Sequence, residues 1–315
     1  MNIRRIYCLV FLILMLVSAS VGCSYMPSTD SDYSASITSG GMERTYRVHI
    51  SSSYDPSLPT PLVIVLHGGG GTGRGMVRLT SFNDIADAEN FIVVYPDGFE
   101  KHWNDGRGVQ WQSHVENTDD VGFISDLIDH LSAELNIDAG RVYVTGISNG
   151  GMMSHRLGCE LSQKIAAISP VASNIPVNQA PVWSPSRSMP VLIINGTEDT
   201  LERWEGGEIL LGRNTYGVVL SVADTVKFWV EKNGCSSSPV VTQLPDKAPD
   251  DGTTVWTEVY GGCEGGAEVV LYAIKGGGHT WPGGLQYLPE SIIGKTSREF
   301  DASEVIWQFF KEHSL

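Results

Sequence analysis

The chain has 315 residues, 42% hydrophobic and 18% charged, with 36 acidic against 21 basic side chains and a formal net charge of −15. That length suits one α/β domain with a large core, and the composition is that of an ordinary globular protein. The negative balance argues against nucleic acid or an anionic membrane surface as partner and disfavours strongly acidic polymers as substrates, while neutral esters remain acceptable.

At the N-terminus, Arg4 and Arg5 precede a wholly apolar run from Ile6 to Val17, followed by the small residues Ser18, Ala19 and Ser20. The run is too short to span a bilayer in comfort, so residues 1–22 read as a secretory signal. Gly22-Cys23 resembles a bacterial lipoprotein cleavage junction, which would make Cys23 the lipidated first residue. Ser20 stands where an aliphatic residue is usual, so plain secretion stays open beside a lipid anchor on Cys23, the expected contact with a membrane. The Ser/Thr/Gly-rich stretch up to Gly41 reads as a flexible tether over residues 23–41, with the catalytic domain at 42–315.

Pro61-Leu62-Val63-Ile64-Val65-Leu66 is a continuous apolar run that reads as a buried strand, and it leads straight into His67-Gly68-Gly69-Gly70-Gly71. A second strand, Phe91 to Tyr95, ends at Pro96-Asp97-Gly98. The segment from Phe99 to Asp120, with Trp103, Asn104, Arg107 and Trp111, is long for a connection between strand and helix, and long connections there are usually functional. Ile124, Leu127, Ile128, Leu131 and Leu135 recur at helical spacing.

Next comes Arg141-Val142-Tyr143-Val144-Thr145, a β-branched and aromatic strand, then Gly146-Ile147-Ser148-Asn149-Gly150 and a segment able to open a helix. Strand, glycine-flanked serine and helix in that order form the context of a nucleophile elbow. Pro190 to Ile194 is a further strand, ending in Asn195-Gly196-Thr197-Glu198-Asp199, and the stretch from Leu201 to Tyr216 reads as a second long loop able to cover the cleft. Ala223 to Glu231 reads as a helix. Glu268 to Ile274 is a strand leading to Gly276-Gly277-Gly278-His279-Thr280-Trp281, and Ala302 to Glu312 closes the chain as a helix. Each of these polar turns follows the C-terminal end of a strand, where open α/β sheets build their sites.

A serine nucleophile needs a base, an acid to orient the base and donors for the oxyanion. Ser148, Asp199 and His279 supply the first three in the order expected of such hydrolases, with Glu198 the rival to Asp199. The backbone N–H groups of Asn149 and of Gly69, or its neighbour Gly68, supply the oxyanion donors. His67 comes too early in the chain to be the base and reads as structural or oxyanion-shaping. No Gly-Lys-Ser/Thr follows the glycine run and no dinucleotide fingerprint occurs, which argues against nucleotide binding. No metal-ligand spacing occurs either, and neither metal nor cofactor is required. Among the cysteines left after export, Cys235 and Cys263 flank a turn-rich excursion and are expected to be bridged. Cys159 is expected to be a buried free thiol.

Asp119-Asp120-Val121-Gly122-Phe123-Ile124, Arg141 to Met153 and Gly276 to Gly283 together resemble the polyhydroxybutyrate depolymerase and feruloyl esterase family of secreted α/β-hydrolases. The resemblance runs from about Tyr46 to the C-terminus. It implies an α/β-hydrolase fold with a mostly parallel central sheet, helices on both faces, and Ser148, Asp199 and His279 as nucleophile, acid and base. Asn195 departs from the family, which often has His there. The expected activity is hydrolysis of feruloyl or acetyl sugar esters or of hydroxybutyrate oligomers and polyester, with Trp103 and Trp281 as flat walls of the substrate pocket. The rival expectation is a non-catalytic, lipid-anchored protein that captures glycan or polymer on the same scaffold.

Overall fold

A computed structural model describes residues 31–212 and 214–315. The expected signal, Cys23 and the first part of the expected tether lie outside the described residues. The expected tether does not extend to Gly41: Asp32–Ser39 forms strand β1, which pairs antiparallel with β2, Met42–Ile50. Gly40 and Gly41, at φ 56° and 79°, supply the two left-handed positions that a tight hairpin turn requires. Alternate residues Tyr33, Ala35 and Ile37 lean on the core, so this polar-looking segment has an apolar face to bury.

Six parallel strands form the centre: β3 (Thr60–Leu66), β4 (Ile92–Pro96), β5 (Ile137–Ile147), β6 (Ala167–Val171), β7 (Val191–Gly196) and β12 (Val269–Lys275). Antiparallel β11 (Thr254–Tyr260) and β10 (Val240–Gln243) extend the far edge. The ten strands run in the order β1-β2-β4-β3-β5-β6-β7-β12-β11-β10. β8 (Gly207–Leu211) and β9 (Asn214–Val219) pair separately as a hairpin.

Side chains alternate between the two faces of this sheet. Leu62, Ile64 and Leu66 of β3 point to one core, whereas Val63 and Val65 point to the other. The first core is covered by α4 (Asp120–Glu134), α5 (Asn149–Glu160) and α6 (Val222–Lys232). The second is covered by α1 (Gly73–Thr80), α2 (Phe82–Glu89) and α8 (Ala302–Phe310). Short helices α3 (Gln112–Val115) and α7 (Glu290–Ile293) sit in the connections. Each fully buried Leu, Ile or Val contributes roughly 1.5–3 kcal/mol, which explains why strands buried on both faces read as unbroken apolar runs.

The stretch from Leu201 to Tyr216 is not a plain loop. Its second half belongs to the β8–β9 hairpin, where Ile209 and Val219 pack with Met152 of α5 and so fix the hairpin over the first turn of that helix. Cys235 and Cys263 are bridged, and Cys159 is free and buried, its thiol pushed up to about 12 by burial.

Candidate active site

β5 ends at Ile147 and the chain turns at once into α5. Ser148 stands between them at φ 57° and ψ −124°, a conformation rarely adopted by residues with a Cβ. Its N–H donates to the carbonyl of Val171 at 3.0 Å, and its own carbonyl accepts the N–H of Met152 at 2.8 Å, so the turn is held from both sides. A Cβ at position 150 would lie 2.5 Å from the carbonyl oxygens of Leu66 and His67, so Gly150 is what lets α5 approach β3 this closely. The N–H of Asn149 belongs to the first turn of the helix, where no preceding intrahelical carbonyl is available to it.

Facing this elbow is the turn after β3. His67 is fully buried, and its Nε2 accepts the N–H of Gly98 at 2.9 Å. The proton therefore sits on Nδ1, which donates to the carbonyl of Gly68 at 2.8 Å. Burial pushes this imidazole down to about 4, so it stays neutral and acts as a brace. Gly70 donates to Lys101 and Gly71 to Gly68, each at 2.9 Å, while the N–H of Gly69 has no acceptor among the described residues.

Two further strand ends bring in the expected acid and base. Asp199 follows β7 and is buried, whereas its sequence rival Glu198 is exposed. One carboxylate oxygen of Asp199 accepts the N–H groups of Leu201 and Glu202, both at 2.8 Å. The other accepts Nδ1–H of His279, which follows β12, at 2.7 Å. A Cβ at position 196 would lie 2.2 Å from the carbonyl oxygen of Gly277, so Gly196 lets the two turns touch backbone to backbone. Burial alone would lower the pKa of His279, but the charge and hydrogen bond of Asp199, joined by the carboxyl of Glu202, outweigh it and the net shift is upward. Such an imidazole, held in one tautomer by a carboxylate, is equipped to take a proton from a hydroxyl and stabilise the resulting cation.

The segment between β4 and α4 is built onto this centre through the side chain of Asn149. Its Oδ1 accepts the N–H of Trp103 at 2.8 Å, and its Nδ2 donates to the carbonyl of Trp103 at 2.9 Å and to Asp105 at 2.6 Å. Asp105 in turn pairs with Arg107 at 2.9 Å, and Arg107 donates to the carbonyl of Tyr216 at the β9 end of the hairpin.

Two substrate-facing expectations need correction. Trp103 is fully buried, with its indole N–H given to the carbonyl of His67 and its ring lying 5.0 Å from that imidazole. Trp281 is fully buried in the second core, donating to Ser303 and packed edge-on to Phe82. Both indoles are satisfied inward and form no open wall.

The aromatic beside the oxyanion turn is Trp111, half-buried and 4.1 Å from the ring of His102. The Arg107 guanidinium lies 4.6 Å from it and Tyr216 5.5 Å away. A Cβ on Gly69 would fall 3.2 Å from the Trp111 ring, so the indole abuts the expected oxyanion donor. With Phe99, Glu100, Gln110 and Gln112 among its other walls, the pair lines a groove of about 530 Å³. The sequence signal was its place in an over-long connection already rich in Trp.

A family model described as phospholipase/carboxylesterase matches residues 49–228. The chain is 31% identical over 284 residues to NocK of Nocardia uniformis subsp. tsuyamanensis, named a candidate esterase, covering 85% of this chain and 79% of that one. It is 28% identical over 238 residues to feruloyl esterase B of Piromyces equi, covering 74% of this chain but only 42% of that longer protein. Among solved structures, the acetyl xylan esterase from Aspergillus awamori superposes with a TM-score of 0.58 at 14% identity, over 88% of this chain and 98% of that one, a likeness of fold.

Proposed function

Because the chain belongs to the phospholipase/carboxylesterase family of α/β-hydrolases and is a carboxylic ester hydrolase, we propose that it works by acyl transfer through Ser148, His279 and Asp199. The supporting observation is the buried 2.7 Å bond between His279 Nδ1 and Asp199, on turns that follow β12 and β7 at the same end of the sheet as the elbow that displays Ser148 at φ 57°.

His279 takes the hydroxyl proton of Ser148 as its oxygen attacks the ester carbonyl. The N–H groups of Asn149 and Gly69 receive the oxyanion, a contribution of about 3–4 kcal/mol per donor in such sites. The alcohol leaves with the proton held by His279. Water, deprotonated by the same imidazole, then releases the acid.

The substrate class we propose is an aromatic acyl ester of a sugar, of the feruloyl type. We take the half-buried Trp111 as the surface against which a flat apolar ring packs, and the groove of about 530 Å³ that it lines lies within the usual range for small-ligand sites. Similarity to a feruloyl esterase points the same way. The protein is proposed to act outside the cytoplasm, secreted or anchored through Cys23, in keeping with its basic and apolar first residues and a disulfide that persists in oxidising compartments.

The test is fluorophosphonate labelling with peptide mapping, followed by a panel of p-nitrophenyl acetate, methyl ferulate, acetylated xylo-oligosaccharide and hydroxybutyrate oligomers. Labelling at Ser148 and turnover of methyl ferulate are expected. An unlabelled Ser148 with no hydrolysis would leave the non-catalytic capture protein. Turnover of hydroxybutyrate oligomers alone would move the substrate class to polyester.

A further inference from the structure

Glu202 has no part in the scheme above, yet it is buried against it. It follows Asp199 by three residues, its backbone N–H holds Asp199, and its side chain is only 2% exposed. No cation lies within ion-pairing distance of it among the described residues. Its Oε2 accepts the N–H of Asn174 at 3.0 Å, while Oε1 has no partner. A buried carboxylate left in that state would be costly, and such groups hold a proton instead.

The partner turn is itself built for this contact. Ala172, just past β6, is forced to φ 47°, which swings Ser173 and Asn174 back towards β7. There Asn195 accepts the N–H of Ser173 at 3.2 Å and donates to the side-chain oxygen of Asn174 at 3.0 Å. A Cβ on Gly151 would meet Ser173 at 2.6 Å, so this turn also abuts the first turn of α5. Glu202 is thus a strut between the turn carrying the acid and the helix that begins at the nucleophile.

We propose that Glu202 is a positioning residue for the His279–Asp199 pair: as a neutral carboxylic acid it clamps the acid-bearing turn to the turn after β6 and withholds a second negative charge from the imidazole. The inference rests on His279 being the base. Four charged or titratable groups face Glu202 or its immediate partners: Asp199 on its own turn, His279 after β12, Arg107 from the segment before α3, and the Tyr287 hydroxyl, which donates to the carbonyl of His279. Burial pushes Glu202 up to about 8, helped by Asp199 and opposed by His279 and Arg107. An ionised Glu202 would raise the His279 pKa and so favour the imidazolium, and a protonated imidazole is no base.

Wild type, Glu202→Gln and Glu202→Ala are compared for kcat/KM on p-nitrophenyl acetate and for Tm across roughly pH 5 to 9. Glu202→Ala should lower kcat about tenfold with KM within about threefold, and Glu202→Gln, which can still accept from Asn174, should recover most of that loss. In the Gln variant the acid limb of kcat/KM should superimpose on the wild-type limb, because a protonated carboxyl, like an amide, puts no charge beside His279, and the two profiles should part only as pH climbs towards about 8.

The melting profile needs no activity. A raised carboxyl pKa adds stability that is full below the ordinary value of 4.5 and is lost as pH climbs towards about 8. The Tm of Glu202→Gln should therefore gain steadily on wild type over that interval. A flat Tm difference overturns the neutral acid, whether or not the protein hydrolyses esters. An acid limb in Glu202→Gln displaced to lower pH than the wild-type limb overturns the withheld charge, because wild-type Glu202 would then be ionised beside His279. Should wild type itself hydrolyse nothing, the mechanism above fails and the positioning role fails with it, while the Tm profile still decides the buried acid. If Glu202→Ala does not fold, the Gln variant carries both readouts.

Discussion

On the proposed mechanism Ser148 and His279 act as one unit, so each replaced by Ala should cut ester turnover by several powers of ten, and the double variant should lose little more than either single one. Steady-state kinetics on p-nitrophenyl acetate, with melting curves to confirm folding, decide this; a Ser148→Ala protein of near wild-type activity would end the mechanism. Asp199 raises the pKa of His279 against the opposing effect of burial, so the acid limb of kcat/KM should have its midpoint above 6.5. Asp199→Asn removes the two largest raising causes, so the limb should move to lower pH while turnover drops by about 10⁴-fold. These three residues were legible because each follows an apolar strand and is announced by glycines. The depth of an indole was not. Trp103 and Trp281 look like pocket walls in one dimension, and only the partners His67 and Ser303, 36 and 22 residues away, turn them inward. Glu202 was equally hidden, since nothing local shows that its carboxyl meets a backbone N–H 28 residues earlier.

At the scale of elements, strands buried on both faces were readable end to end, and α4, α6 and α8 were readable from their spacing. The edges were not. β1, β8, β9 and β10 bury one side or less, so their apolar content is diluted by exposed positions, and α1 and α2 are only eight residues each. Cys235–Cys263 secures one such edge, joining the end of the α6 region to the residues after β11. Closing a loop of 28 residues removes about 3–4 kcal/mol of unfolded-chain entropy. Cys235→Ser with Cys263→Ser should therefore lower Tm by several degrees, with kcat within about threefold because the triad turns lie elsewhere. A large loss of kcat at unchanged Tm would mean that the edge shapes the site. The segment holding Trp111 gives the complementary case. Trp111→Ala should raise KM for methyl ferulate about tenfold, the worth of one stacked ring, and leave kcat/KM for p-nitrophenyl acetate nearly unchanged. Equal losses on both esters would show that the indole supports the Gly69 turn rather than the substrate.

For the whole molecule, the net charge of −15 and the disposition of the first residues bear on where the enzyme works. A surface so acidic is repelled by anionic headgroups, and the repulsion is screened within about 10 Å at ordinary salt. Any stable membrane association must then come from an acyl chain and not from the protein surface. Cys23 precedes the first described residue, Ser31, by eight positions, and so short a stretch of chain reaches at most ~28 Å. An acyl group there would keep the β1–β2 edge close to the bilayer, with the catalytic end of the sheet free to meet soluble esters. The full-length protein produced in a bacterial host should accordingly partition with membranes, incorporate labelled fatty acid and remain bound through a high-salt wash. Cys23→Ser should release soluble, unlabelled enzyme with the same kcat on p-nitrophenyl acetate. Wild type recovered only as soluble, unlabelled protein would show that Ser20, and not the Gly22-Cys23 pair, was the truer guide to processing, and that the enzyme is simply secreted. Membrane binding that salt removes would instead locate the contact on the protein surface, against the sign of its charge.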